Sequence, residues 1–220
     1  KSFEFPDQPD RGLTYWDWSL IPVKGNQDEI VGLVFTLSEV TEQVCQKSRD
    51  DLQLLRLESF LTLMGMIHAS ETDLLNYALE ISLQVAESQY AFIGLLTPDE
   101  SEMIIHTWSK GVMGECSMRD AQLCYELDKT GIWGEAVRQR KAIVLNHFEA
   151  EHPLKKGYPE GHVILHKYLT LPIFYRDRIV AVVGVANKET DYNETDVLQL
   201  TLLMDGVWRV TETRQAEEAL

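Results

Sequence analysis

Residues 168–187, YLTLPIFYRDRIVAVVGVAN, decide the fold. Two runs rich in Leu, Ile, Val, Phe and Tyr flank the tripeptide RDR, which is long enough only for a tight turn. Both ends suit a pleated strand, because β-branched and aromatic side chains pack well there. The stretch is therefore a β-hairpin. Working outward, AIVLN (142–146) reads as a further strand, entered from a short helix in GIWGEAVRQRK (131–141). The Pro-, Gly- and His-rich run HFEAEHPLKKGYPEGH (147–162) between them is loop chemistry.

After the hairpin, Asn193 can cap a last helix that carries Asp196 at its third position. Val197, Leu200, Met204 and Val207 supply its buried stripe, and TETRQAEEAL (211–220) continues as an exposed, charged tail. Upstream, the period shifts to two in residues 90–96 and 103–108, joined by the turn TPDESE, with a short strand expected at 124–127. Ser70, with Asp73 three residues on, opens the helix that precedes them; Leu74, Leu75, Ala78, Leu79, Ile81 and Leu83 give its apolar face.

The first third of the chain differs. Runs at 13–23 and 30–37 around KGNQDE predict a hairpin whose Tyr15, Trp16 and Trp18 would form an exposed aromatic face. A lone hairpin is marginal in water, so this one is expected to be cut from something larger or covered by a partner. Next comes a proline-free helix with Leu54, Leu57, Leu61 and Met64 spaced alternately by three and four, a coiled-coil seam. Phe60, Leu63 and Ile67 widen the stripe enough for its end to pack on a globular neighbour.

Composition bounds the function. With 20 basic and 35 acidic residues the net charge is -15, which opposes a phosphate backbone; nucleic acid is not an expected partner. No apolar run reaches the ~18 residues of a membrane span. Three cysteines, Cys45, Cys116 and Cys124, form neither an even framework nor a CxxC pair, which fits a reducing cytoplasm.

The order of elements from about Thr72 to Thr213 resembles the GAF domain. The matching stretches are TGIWGEAVRQRKAIVLNHF, HPLKKGYPEGHVILHKYLTLPIF and RIVAVVGVANKETDYNETDVLQLTLLMDGVW, similar to those in multidomain PAS/GAF sensor histidine kinases of bacteria and methanogenic archaea. RGLTYWDWSLIPVKGNQDEIVGLVFTLSEVTEQV resembles the last strands of a PAS domain and its exit sequence, with Glu39, Thr41 and Glu42 leading into a linker helix. The expected organisation is a PAS hairpin (1–38), a coiled-coil linker helix (39–69), a GAF sensor domain (70–213) and the start of a signalling helix (214–220). The resemblance implies an α+β fold: a central antiparallel sheet with helices on one face and pocket loops on the other. It also implies a small ligand bound under those loops and a homodimer signalling through the linker helices, without membrane contact from this part of the chain.

Within that frame, Cys116 and His162 fall on the expected pocket wall. A thiol and an imidazole facing one apolar pocket could hold a haem, by covalent attachment and axial ligation respectively. No CxxCH motif accompanies them, and a buried small Cys116 with a loop-fixing His162 is the plainer reading. Trp108, Trp133, Tyr168 and Phe174 could line the same pocket; Trp133, between Gly131 and Gly134, is the best placed, although aromatics in such elements are commonly plain core. His147, His152, His162 and His166 crowd one loop without helical spacing, so no metal site is assigned. NKETDYNETD, from Asn187, loosely resembles a cyclic-nucleotide signature with Tyr192 in place of phenylalanine, but strand-ending by Asn187 and capping by Asn193 account for it better.

Catalytic motifs are lacking: no GxSxG, no HExxH, no phosphate-binding glycine loop, and His68 is followed by Ala69 rather than Glu. No enzyme activity is expected from this segment. Two alternatives stand beside the sensor: a thiol-dependent reductase of GAF fold using Cys116 and Cys124, and a module that only dimerises.

Overall fold

A computed structural model of the chain describes residues 1–109, 124–150, 152–153 and 163–218. It divides into two compact units, Lys1–Leu55 and Arg56–Leu220.

In the first unit, β2 (Leu13–Lys24) and β3 (Ile30–Glu39) form the expected antiparallel hairpin, with Trp18 opposite Leu37 and Leu20 opposite Phe35. A third strand, β1 (Ser2–Glu4), pairs along β2 in a stretch without a strand signal. Its three residues are below the length at which alternation can be read. The hairpin leaves Trp18, Leu20, Ile21, Leu33, Val34 and Phe35 exposed. Its exit is tied down: Thr41 Oγ1 accepts from the Tyr15 amide at 2.9 Å, and Glu39 pairs with Arg11 at 2.5 Å. Those bonds fix where the long helix α1 (Thr41–Gly65) begins.

The second unit is built on a six-stranded antiparallel sheet. Its strands are β4 (Tyr90–Leu96), β5 (Glu102–Trp108), β6 (Cys124–Glu126), β7 (Ile143–Leu145), β8 (Tyr168–Tyr175) and β9 (Arg178–Ala186). The order β6-β5-β4-β9-β8-β7 joins two meanders along β4 and β9. The deciding hairpin is β8–β9, with Arg176 and Asp177 both at positive φ in the turn.

Alternation along the strands gives the sheet two faces. Ala91, Ile93, Leu169, Leu171, Ile173, Ala181, Val183 and Val185 point to one. There they meet α2 (Glu71–Val85), through Leu74, Leu75, Ala78 and Leu79, and α4 (Glu194–Glu218), through Leu200, Met204 and Val207. Both helices start as the sequence requires: the Ser70 hydroxyl accepts from the Asp73 amide at 3.1 Å, and the Asn193 side chain accepts from the Thr195 amide at 2.8 Å. The end of α1 joins this layer through fully buried Leu63, while Phe60 closes on α4 over Gly206. The opposite face carries Phe92, Met103, Ile105, Tyr168, Val182 and Ala186, covered by the short α3 (Ile132–Arg138), Leu127 and Phe148.

Candidate functional site

The second face is where three of the predicted pocket residues, Trp108, Trp133 and Tyr168, come together. The strand registers place two rows across it. In one, Trp108, Phe92, Gly184, Thr170 and Ile143 lie side by side on β5, β4, β9, β8 and β7. In the next, Tyr90, Ala186, Tyr168 and Leu145 do so. The middle of each row is small, and Gly184 has to be: a Cβ there would run into the Phe92 ring. Phe92 can therefore lie down on the sheet, with Trp108 at 5.6 Å and Trp133 edge-on at 6.4 Å between ring centroids. Tyr125 stands against Trp133 at 4.7 Å, and Phe148 against Tyr168 at 5.8 Å.

Trp133 owes its position to an anchored helix. The Arg138 guanidinium folds back to the carbonyls of Leu127, Thr130 (3.1 Å) and Gly131 (2.8 Å) and is held by Glu135. This ties the connection from β6 to α3. Trp108, Trp133 and Tyr168 thus belong to one cluster. Phe174 does not: it is 41% exposed at the far end of β8, beneath the Arg140 guanidinium. Cys116 and His162, the two residues expected to hold a haem, lie outside the described residues.

Two hydroxyls sit in this apolar setting. Tyr168 is 5% and Thr170 0% exposed, on neighbouring same-face positions of β8, and neither hydroxyl meets a hydrogen-bond partner of good geometry. Burial pushes the Tyr168 phenol far above its ordinary range, offset only slightly by the nearby Thr170 hydroxyl. An unpaired buried hydroxyl costs about 1–3 kcal/mol. The strands therefore carry a penalty on this face of the sheet.

The remaining candidates have structural employment. Asn187, at φ +61°, accepts the His166 amide (2.9 Å) and donates to the Ile164 carbonyl (2.8 Å), pinning the segment that enters β8. Lys188 pairs with nearly buried Asp196 at 2.6 Å, and Asp196 also accepts the Asn193 amide. Tyr192 bonds Ser88 at 2.7 Å, and burial raises its phenol to about 12. The NKETDYNETD segment is thus a clasp between β9 and α4. His166 pairs with Glu149 at 2.8 Å on the surface, and among the described residues no group of three His, Cys, Asp or Glu could hold a metal.

Cys124 lies on β6 with its Sγ 3.5 Å from a Glu102 oxygen. Desolvation raises its thiol pKa, and the carboxylates of Glu102 and Glu126 raise it further. A reactive cysteine needs the opposite surroundings, a neighbouring cation or helix N-terminus.

Phe92, Tyr125, Phe148 and Thr170 were not singled out in the sequence. Alternation in YAFIGLL separates Phe92 from Ala91 and Ile93, but alternation alone does not say which face holds a ligand. A shallow groove of about 500 Å3 opens elsewhere, between β7 and the first turns of α4, walled by Val144, Tyr192, Val197 and Leu198. It is separate from the aromatic face and contains none of the predicted site residues.

A model of the GAF domain matches residues 68–212. This chain belongs to the GAF domain family. A methyl sulfide methyltransferase-associated sensor from Methanosarcina acetivorans is 43% identical over 188 residues. That match covers 85% of this chain and 19% of the relative, so the chain spans about a fifth of that protein's length. Among solved structures, the GAF domain of a phosphoenolpyruvate-protein phosphotransferase from Coxiella burnetii aligns with a TM-score of 0.59 at 16% identity, over 76% of this chain and 98% of its own. Free methionine-R-sulfoxide reductase from Neisseria meningitidis, solved with its substrate, gives 0.56 at 15% identity, over 76% and 93%. These two likenesses concern the fold. No helix among the described residues is long and apolar enough to cross a membrane.

Proposed function

We propose that this GAF domain is the sensory part of a larger signal-transduction protein of the histidine-kinase type, binding a small ligand or cofactor on its aromatic face. The observation that carries the reading is the concentration of Phe92, Trp108, Trp133, Tyr125, Phe148 and Tyr168 on the face opposite the helices, in a chain 43% identical to a protein named as a sensor. Signalling would run through α1 and α4 in a homodimer. Leu54, Leu57, Leu61 and Met64 are each more than half exposed along one side of α1, the spacing a second copy of the helix would complete. A ligand shifts such a dimer only by the difference in its affinity for two helix arrangements.

The sharpest form of the proposal is a cytoplasmic haem sensor. An aromatic face without a buried unpaired charge among the described residues suits a largely apolar macrocycle; Cys116 would attach it and His162 would ligate it. Bound there, haem would supply an iron responsive to redox state or to a diatomic gas. A role without turnover is preferred to thiol-based reduction because desolvation, and after it the carboxylates of Glu102 and Glu126, disfavour the Cys124 thiolate.

The test is the absorption spectrum after reconstitution with hemin, for wild type, Cys116→Ser and His162→Ala. The expected result is a Soret band that survives denaturing extraction only when Cys116 is present and shifts when His162 is lost. No specific band in any of the three, with self-association intact, would remove haem and favour a module that only dimerises.

A further inference from the structure

From the two orphan hydroxyls on β8 we infer that Tyr168 and Thr170 form the polar recognition element of the pocket, selecting a ligand whose buried part is flat, largely apolar and uncharged and presents one hydrogen-bond acceptor. This inference rests on the ligand-pocket reading above and deepens it. The hydroxyls are buried to 5% and 0% exposure, two residues apart on one strand face, without well-aligned partners. Around them are the rings of Phe92, Phe148 and Trp133, and between Tyr168 and Phe92 the sheet presents only Ala186 and Gly184. The one buried carboxylate among the described residues, Asp196, is already paired with Lys188.

Such a surface rejects charge, because an ionised group taken out of water without a partner is costly. It accepts a flat ring against the aromatic rings. Within it the two hydroxyls lie close enough to share one bond, and the O–H left over discriminates between ligands with and without an acceptor. Satisfying a buried donor recovers its desolvation cost, whereas an apolar isostere leaves that cost in place. The penalty in the free protein is then the counterpart of selectivity in the bound one.

The test uses quinoline, which has an acceptor nitrogen, and naphthalene, its isostere without one, titrated by NMR into the whole chain and into Tyr168→Phe/Thr170→Val. The expected result has two parts. Wild type prefers quinoline by about tenfold and the double variant shows no preference. The double variant also melts at the same temperature as wild type or higher, because it has lost hydroxyls without well-aligned partners.

A lower melting temperature would overturn the inference by showing that the hydroxyls are already satisfied in the free protein. Equal binding of the two probes to wild type would overturn it while leaving the pocket reading intact. Binding of neither would overturn both.

Discussion

The two faces of the six-stranded sheet are made from the same strands and do different work. The helical face is aliphatic: Leu169, Leu171, Ile173, Val183 and Val185 pack against Leu75, Leu79, Leu200 and Met204, with side chains of similar size and no orphan polar group among the buried strand residues. The other face mixes large rings with Gly184 and Ala186 and leaves Tyr168 and Thr170 unpaired. One face obeys the rules of a stable core and the other departs from them locally. Departures of that kind are expected where a protein gives up stability for recognition.

Several substitutions sharpen this contrast. The largest effect is expected at the clasp that locks α4 onto the helical face. Asp196→Ala removes the nearer of the two carboxylate partners of Lys188, leaving only exposed Glu87 at 3.6 Å, and also removes the acceptor of the Asn193 amide, so urea unfolding should show a loss of about 3–5 kcal/mol. On the helical face itself, Leu171→Ala should cost about 2–5 kcal/mol by the same measurement, since its side chain is 2% exposed and the neighbours can only partly collapse.

Gly184→Ala tests the aromatic face. The added methyl meets the Phe92 ring, and displacing that ring should cost about 1–3 kcal/mol. It should also change the near-ultraviolet circular dichroism, because Phe92 contacts Trp108 and Trp133. An unchanged aromatic signal would mean that Phe92 does not rest on Gly184.

A smaller effect concerns alkaline pH. The Tyr192 phenol is raised to about 12 in the folded chain against about 10 when unfolded. The unfolded state thus loses its proton first. The contribution is fully present below pH ~10 and is lost as pH rises towards ~12. Tyr192→Phe should flatten that part of the stability profile, although it also gives up the bond to Ser88. The smallest effect is chemical. Cys124 should react with iodoacetamide at pH 7 more slowly than exposed Cys45, and Glu102→Gln should narrow the gap by removing a carboxylate that opposes the thiolate.

Much of the fold was legible in the sequence, for physical reasons that differ by element. The strands at β4, β5, β8 and β9 announced themselves through alternation and a turn of fixed length, and the Ser70 and Asn193 caps marked the helix starts. β1 was not legible: its three residues pair only because β2 offers an edge. The site was read less completely. Trp108, Trp133 and Tyr168 were named individually, and the structure brings them into one cluster. Phe174 was named with them, yet it ends up under Arg140, because position along a strand decides which end of the sheet a ring reaches. Thr170 could not have been found from the sequence. Its significance lies in a missing hydrogen bond, which exists only once neighbours are in place.

The most direct test of a ligand-reading aromatic face is hydrogen–deuterium exchange of the whole chain with and without N-phenyl-1-naphthylamine, an uncharged, mainly apolar aromatic probe. The account predicts slower exchange in β4, β8 and α3 on addition of the probe, with α2 unchanged. Protection confined to the exposed β2–β3 hairpin would show the probe binding to unpaired apolar surface instead, and would contradict it.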